Sequence, residues 1–407
     1  MTASRIFAYG ALGLPLAFAA LPIYVHIPRY YADTTGLDLA ILGAILLGAR
    51  LTDAFVDPWL GWLADRLPRR RMLAVALLPF ALGFTALLNP PQNLVTPWLI
   101  ASLVLTYLGF SAASVAYQAW GAAMGGDSVI RTRLTAAREG FGLLGVVLAA
   151  ALPGILANDL SVGTARLSWV LPPLLLLAAA ITLSSVDGAT TPRHPSTRML
   201  GSLTRALADQ AFVRLLVVFV ANGIAAALPA TLFLFFVADV LGAVAESGAL
   251  LALYFVAGAV SLPLWVRLSV RLGRVRVWAL SMLVAMLAFG WAALLGPGDL
   301  LPFAAICLAS GLALGADLAL PAAIAADLGE RQEQAGVCFG IWNFVTKLNL
   351  ALAAGLALPL LDVLGYRPGS DHGQTALIGV YALLPLTFKL LAASLLWRWR
   401  NSLEIRS

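Results

Sequence analysis

The chain alternates between long apolar stretches and short polar breaks along its whole length. A membrane-spanning α-helix needs about 20 consecutive, mostly apolar residues, and twelve stretches of this kind are present. They cover residues 7–29, 39–64, 71–90, 97–122, 133–157, 167–186, 211–238, 247–270, 275–295, 301–327, 335–363 and 374–397. The pattern predicts an all-α membrane protein with twelve transmembrane helices.

The amino-acid composition also indicates that most of the chain lies in a lipid bilayer. Of the 407 residues, 61% are hydrophobic and only 11% are charged, whereas soluble domains are about a quarter charged. A soluble core of this size could not bury so much apolar surface. The first stretch is too long for a signal peptide and is predicted to be an uncleaved span. Cys307 and Cys338 fall in apolar stretches, which favours core thiols over a disulfide or a metal site.

The basic residues predict the orientation. When both termini are placed on one side, the Lys and Arg residues outside the spans gather on that side, except Arg29, Arg166 and Arg367. The positive-inside rule makes that side cytoplasmic, so we expect a multi-pass protein of the cell (inner) membrane with both termini cytoplasmic. No basic run is interleaved with aromatics on a soluble module. The expected partners are therefore the lipid bilayer and a small solute, not nucleic acid, and the expected state is a monomer.

The longest polar stretch follows the sixth span. It predicts an N-terminal six-helix bundle over residues 1–186, a cytoplasmic central loop over 187–210 and a C-terminal six-helix bundle over 211–407. The polar segment 61–71 after span two has a counterpart, 265–276, after span eight. Such repeated, pseudo-symmetric halves are a known design of secondary transporters, with the solute site near the midplane.

Charged residues inside the spans are the first candidates for function, because each costs about 2.5–3.5 kcal/mol at a helix centre on insertion scales. Asp53 and Asp57 are four residues apart, so they share a helix face, with Arg50 one turn away. Two carboxylates close together in a low dielectric favour uptake of a proton or a cation. The alternative is a static charge-paired brace between helices.

The other intramembrane charges leave alternatives open. Lys347 either pairs with the two aspartates and competes with the cation or snorkels to an interface. Arg138 either binds an anionic or hydroxyl-rich solute or forms a local ion network with Glu139. Asp317 is a second proton site, a solute contact or a structural hydrogen-bonding group, and Lys389 is expected to snorkel or to face lipid.

Two further sets of residues complete the candidates. The predicted pocket wall consists of Tyr117, Gln118, Trp120, Trp342 and Asn343, although an aromatic residue in a span usually serves packing. The loop after span two offers Asp65, Arg66, Arg69 and Arg70, which form a salt-bridge latch or serve as topology signals alone. No nucleophile–base pair or phosphate-binding glycine loop is placed for catalysis, so we expect no enzyme and no cofactor beyond a coupling ion, H⁺ or Na⁺.

The segment 50–71 resembles the glycoside–pentoside–hexuronide:cation symporters, the melibiose-permease-like branch of the major facilitator superfamily. Residues 9–10, 131–138, 263–276 and 340–347 are similar to the same family. The resemblance implies a major facilitator fold in which Asp53 and Asp57 bind the coupling cation. It also implies that Ser111 assists the cation and that Arg138 and Lys347 serve the solute or a charge network.

The chain departs from the melibiose permease at positions that matter for specificity. Val56 stands where an Asn precedes the second aspartate, which removes an oxygen ligand and favours H⁺ over Na⁺. Leu16 or Ala17 and Ser114 stand where sugar-binding aspartates are expected. These differences weaken the case for a galactoside and favour a more apolar or anionic solute, so a sugar, an organic anion and a lysolipid all remain open.

Three functions follow from these residues. The first is a cation-coupled symporter working by alternating access, with H⁺ favoured. The second is a proton-coupled exporter or a lysolipid or lipid flippase that uses the same aspartates. The third is a non-transporting assembly factor or receptor, which would tolerate neutral substitution of the intramembrane charges.

Overall fold

The computed structural model describes residues 1–35, 37, 39–124, 126–185, 198–367 and 373–404. Within these residues all regular secondary structure is helical. The first half forms α1 (Ala3–Gly10), α2 (Gly13–Leu21), α3 (Ile27–Thr35), α4 (Leu39–Ala64), α5 (Arg69–Leu87), α6 (Val95–Met124), α7 (Ser128–Leu156) and α8 (Leu160–Ser185). The second half forms α9 (Met199–Ala208), α10 (Gln210–Asp239), α11 (Ser247–Leu272), α12 (Arg274–Gly290), α13 (Leu300–Arg331), α14 (Ala335–Val363), α15 (Gln374–Ile378), α16 (Leu384–Arg398) and α17 (Arg400–Leu403).

Each of the twelve predicted spans corresponds to a helix or to a run of consecutive helices, which confirms the all-α architecture. Eleven helical segments of the described residues are long and apolar enough to cross a membrane. The helix α4 is not among them; it carries Arg50, Asp53 and Asp57 in an otherwise apolar sequence. The first span is not one continuous α-helix: α1, α2 and α3 are joined by a turn and by a π-helical segment, Pro22–His26.

Helices are the expected solution because a bilayer offers no water to satisfy backbone N–H and C=O groups. Two helix starts are also capped by aspartates. The Asp127 carboxylate accepts a hydrogen bond from the Ile130 N–H at the start of α7 (2.7 Å), and Asp209 accepts one from the Ala211 N–H at the start of α10 (2.7 Å). Such caps satisfy N–H groups that have no partner within the helix.

The chain forms two compact units. The first comprises Met1–Ala206 and Ala325–Phe344, and the second comprises Leu207–Ile324 and Val345–Ser407. The end of α13 and the beginning of α14 thus belong to the first unit, whereas the predicted division places both in the C-terminal bundle, 211–407. Residues 186–197, which make up much of the predicted central loop, lie outside the described part, so the three-part division remains a prediction.

Each unit has its own apolar core. Tyr9, Phe18, Phe80 and Trp120 are fully buried in the first unit. In the second, the rings of Phe236 and Tyr381 stack with centroids 4.0 Å apart. Cys307 and Cys338 are buried thiols rather than halves of a disulfide, which confirms their predicted character.

Candidate functional site

The candidate cation site lies on α4, in the first unit. Asp53 is 5% exposed and Asp57 is 0% exposed. The Ser111 hydroxyl, on α6, donates a hydrogen bond of 2.6 Å to Asp53 Oδ1. The structure therefore brings together Asp53 and Ser111, which the resemblance assigns to one cation site.

Asp57 lies where the beginning of α14 crosses α4 at very short range. A Cβ atom added to Gly340 would lie 2.5 Å from the Asp57 carbonyl oxygen. One turn further along α4, a Cβ added to Gly61 would lie 2.3 Å from the Gly336 carbonyl oxygen, and the converse substitution at Gly336 meets the Gly61 carbonyl oxygen at 2.3 Å. Only glycine allows this backbone-to-backbone contact, a common device between membrane helices.

Asp65, which directly follows α4, binds the first turn of α14 at the end of this crossing. Its two carboxylate oxygens accept hydrogen bonds from the backbone N–H groups of Gly336 (2.7 Å) and Val337 (2.8 Å), in the first turn of α14. The first N–H groups of a helix have no partner within it and carry partial positive charge, so a carboxylate is well placed there. Arg69 Nη2 also donates to Asp65 Oδ1 (3.0 Å).

Burial raises the pKa of the Asp65 carboxyl above its usual value. The charge of Arg69 and the hydrogen bonds from Val337 and Gly336 act in the opposite direction but do not offset the burial. The carboxyl of Asp65 thus binds a proton more readily in this arrangement than when it is hydrated.

Two ion pairs extend the network to the end of α13. Arg69 Nη1 contacts Glu330 Oε1 at 3.3 Å and donates to the Ala119 carbonyl oxygen of α6 at 3.1 Å. Arg131 Nη1, on α7, contacts Asp327 Oδ1 at 2.8 Å. We refer to Asp65, Arg69, Arg131, Asp327 and Glu330 as the latch network. It explains why residues 325–344 belong to the first unit.

The other two arginines predicted for the latch have different contacts. The Arg66 guanidinium lies over the Trp62 ring, 3.9 Å from its centroid. Arg70 is exposed and donates to the Leu183 carbonyl oxygen. The gating role of all four residues remains a prediction, but the latch geometry described here involves Asp65 and Arg69.

The sequence repeat has a structural counterpart. In the second unit Arg274, at the start of α12, donates from Nη1 to the Ala323 carbonyl oxygen of α13 at 3.2 Å. Arg69, at the start of α5, makes the matching contact with Ala119 of α6 in the first unit. Both arginines are buried, so the two polar segments 61–71 and 265–276 place an arginine on the same kind of backbone acceptor.

Several predicted pocket residues of the first unit already have hydrogen-bond or ion-pair partners among neighbouring side chains and backbone groups. The Tyr117 hydroxyl donates to the Tyr9 carbonyl oxygen, and the Tyr9 hydroxyl donates to the Tyr117 carbonyl oxygen at 3.0 Å. Arg138 forms an ion pair with Glu139, which favours the local network over a solute contact. The Gln118 amide oxygen, by contrast, is buried and has no hydrogen-bonding partner among the described residues. Gln118 is therefore the pocket candidate with an acceptor left for a solute.

The remaining candidates lie further along α14. Trp342 is buried and Asn343 is partly buried, both in the part of α14 that belongs to the first unit. Lys347 is partly buried and belongs to the second unit. Its pairing with the aspartates of α4 remains a prediction.

One expectation about the second unit is wrong. Lys389 was expected to snorkel or to face lipid, but it is buried and pairs with Asp317. The Trp278 indole N–H donates to the other oxygen of Asp317 at 2.8 Å. A buried ammonium needs a carboxylate partner, and α16 and α13 bring the two together. This favours the structural role for Asp317, and its part in solute binding remains a prediction.

The sequence analysis missed five residues of the site: Arg131, Asp327 and Glu330 of the latch network, and Gly336 and Gly340 as the contact surface for α4. One signal was available. Gly336 and Gly340 are four residues apart in an apolar helix, a spacing that places two small residues on one face and is typical of closely packed membrane helices. The ion pairs had no such signal, because their partners are far apart in sequence.

The chain matches the solved structure of a bacterial homologue of the iron transporter ferroportin with a TM-score of 0.70 and 15% identity, covering 98% of this chain and 100% of the other. It matches the Escherichia coli fucose:proton symporter FucP with a TM-score of 0.70 and 14% identity, over 96% of each chain. At these identities the likeness shows a shared fold, the major facilitator fold.

A sequence family described as MFS/sugar transport protein matches residues 6–401, almost the whole chain. Together with the helices long enough to span a membrane, this match makes the protein a multi-pass secondary transporter of a small solute rather than an enzyme. The chain belongs to the MFS/sugar transport protein family.

Proposed function

We propose that this protein is a cation-coupled symporter in which Asp53 and Asp57 bind the coupling ion, H⁺ in the first instance. The observation that supports it most is their placement: two buried carboxylates stand one turn apart on α4, and the second lies at the crossing with α14. Their retention in an apolar helix carries an electrostatic cost. If a change in the charge of these carboxylates moves the helices, this function would explain why they are retained despite the cost.

Proton coupling is favoured over Na⁺ coupling by the surroundings of the pair. Val56 contributes no side-chain oxygen, whereas Na⁺ needs several oxygen ligands. A proton needs only one carboxylate with a raised affinity, which a second carboxylate nearby in a low dielectric supplies. Ser111, bonded to Asp53, would hold that carboxyl as the acceptor while Asp57 takes up the proton.

The crossing links the ion site to the latch network. One side of α4 and the residue that follows it face the beginning of α14. This side carries Asp57, Gly61 and Asp65, which are spaced four residues apart, and each of them contacts the beginning of α14. Because the backbones touch, a small displacement at Asp57 cannot be absorbed by flexible side chains. Ion binding at Asp57 would therefore change the equilibrium of the contact that Asp65 holds, in proportion to its different affinity for the two states.

The same residues support a branch of the family and a range of solutes. The segment 50–71 supports the melibiose-permease-like branch, and the family match to sugar transport proteins keeps sugars among the candidates with organic anions and lysolipids. Gln118 would accept a hydrogen bond from the solute, with Trp342 and Asn343 as pocket wall. The arginine distribution supports cytoplasmic termini, and import is the direction that a symporter of this kind drives.

A thermal-shift screen tests the ion site without knowledge of the solute. Purified wild-type protein, Asp57→Asn and the control Asp362→Asn, which changes an exposed carboxylate at the end of α14, are compared at two pH values with Na⁺ or choline. We expect stability of the wild type and of Asp362→Asn to depend on pH and not on Na⁺. Asp57→Asn should lose most of that dependence.

The same screen identifies a solute from sugars, organic acids and lysolipids, and reconstituted vesicles with an imposed pH gradient then give the direction of flux. Uptake along the proton gradient supports the symporter. Flux against it indicates the exporter or flippase. If Asp57→Asn transports the solute against its gradient as well as wild type does, the ion site is wrong, whatever the direction.

A further inference from the structure

The short helix α9 carries an exposed apolar stripe. Leu200, Leu203 and Leu207 share one face of it, at spacings of three and four residues. Leu200 is 75% exposed and Leu207 is 50% exposed. The opposite side carries Arg198 and Arg205, seven residues apart and both exposed. This division into a leucine face and a basic face is typical of helices that lie in the membrane interface.

The buried side of α9 is small and polar. Ser202 and Ala206 are the buried residues of the helix. With its amide oriented to satisfy both groups, Gln334 donates to the Ser202 carbonyl oxygen (3.0 Å) and accepts from Arg205 Nη1 (3.3 Å). These contacts fix the rotation of α9 about its axis, so the leucine face points away from the protein.

The position of α9 in the chain keeps it at the membrane surface. Only Asp209 separates it from α10, which is a candidate membrane span beginning at Gln210. Asp209 caps the first N–H groups of α10, so the junction is ordered. The one-residue link places the end of α9 next to the start of that candidate span, and we expect an exposed leucine face at this point to meet lipid.

We propose that α9 is an interfacial helix that binds the anionic lipid bilayer surface, with its leucine face in the acyl boundary and Arg198 and Arg205 on acidic headgroups. The argument for acidic lipid is charge complementarity: each basic residue near an anionic surface strengthens adsorption by about fivefold. Both arginines are on the face opposite the leucines, where headgroup phosphates lie when the leucines are inserted.

Lipid binding by α9 also affects the latch network. Gln334 directly precedes α14, whose first N–H groups bind Asp65. The residue that α9 holds is therefore the residue next to the latch network. Binding of α9 to acidic lipid orders the chain at this point, which makes the lipid composition of the membrane a factor in the stability of the latch.

The test uses a fluorescent label and needs no solute, so its outcome is independent of the proposed transport. In full-length protein with Cys307 and Cys338 changed to Ser, Leu200→Cys carries an NBD label, and Gly201→Cys carries the same label about 100° further round the helix. Each protein is reconstituted in phosphatidylcholine vesicles with or without phosphatidylglycerol. Quenching by nitroxide lipid and by aqueous iodide is measured.

We expect the label at position 200 to be quenched by nitroxide lipid and shielded from iodide, more so with phosphatidylglycerol, while the label at 201 stays accessible to iodide. The double substitution Arg198→Gln and Arg205→Gln should reduce the effect of phosphatidylglycerol at least about fivefold. Equal iodide quenching at 200 and 201 overturns the interfacial placement. Equal shielding in both lipids overturns the acidic-lipid preference and, with it, the proposal.

Discussion

Removal of the Asp65 side chain tests the latch network quantitatively. In Asp65→Ala the N–H groups of Gly336 and Val337, now held at 2.7 and 2.8 Å, lose their acceptor. A buried donor left unsatisfied costs about 1–3 kcal/mol. Water that enters the vacated space reduces the sum, so we expect a loss of about 2–4 kcal/mol for the two groups together.

Cys338 reports the opening that this loss produces. It is buried in the first turn of α14, next to Gly329 of α13, so a maleimide reaches it only when the first turn of α14, which Asp65 holds, opens. With Cys307 changed to Ser, the alkylation rate follows the opening equilibrium as long as reclosure is faster than alkylation. At about 1.4 kcal/mol per factor of ten, the rate should rise about 30- to 700-fold.

The control is Arg70→Ala, which changes an exposed residue in the first turn of α5, next to Arg69, and should alter the rate less than about twofold. Arg69→Ala should give an intermediate increase, because it removes the ion pairs with Asp65 and Glu330 but leaves the two N–H acceptors in place. If folded Asp65→Ala protein alkylates at the wild-type rate, the latch does not hold α14 and the argument is refuted.

Three further outcomes are expected. Gly340→Ala should destabilise the protein by about 1–3 kcal/mol, because its Cβ overlaps the Asp57 carbonyl, whereas Gly355→Ala on the same helix, which meets no neighbour, should not lower the thermal unfolding midpoint. Lys389→Met should cost about 3–5 kcal/mol by leaving the partly buried Asp317 carboxylate without its ammonium partner, and adding Asp317→Asn should recover most of this loss; simple additivity of the two losses argues against the pair. Burial raises the pKa of Asp65 in the folded state, so its stabilising contribution is present below the usual pKa of Asp and is lost as pH rises through the raised value. The free energy of unfolding of wild type should therefore fall relative to that of Asp65→Asn as pH rises toward neutral, and a rise relative to Asp65→Asn contradicts the direction of the shift.

Much of the fold follows from the sequence because the bilayer imposes one solution. Each stretch of about 20 apolar residues must satisfy its own backbone and becomes a helix. The twelve predicted spans therefore match helices closely, and α4 was recognisable although three charges interrupt it. The break of the first span at Ala11–Leu12 and its π-helical segment were not foreseen, because periodicity averages over such local changes.

The candidate site was predictable only in part. Asp53, Asp57 and Ser111 could be named because charge in a span is costly and because the segment resembles a known family. The pairing of Lys389 with Asp317 was missed, since sequence distance carries no information on which spans meet. The same holds for Arg131 and Asp327. A lone lysine in an apolar stretch is compatible with snorkelling until its neighbours are known.

The central claim is that protonation of the Asp53–Asp57 pair is coupled to solute movement. Once a solute is identified, the most direct measurement is solute-driven proton uptake into vesicles that contain a trapped pH indicator and no initial pH gradient. The account predicts acidification with wild-type protein and none with Asp57→Asn, although solute still exchanges across the membrane. Equal acidification by the variant, or solute entry without proton movement in the wild type, contradicts it.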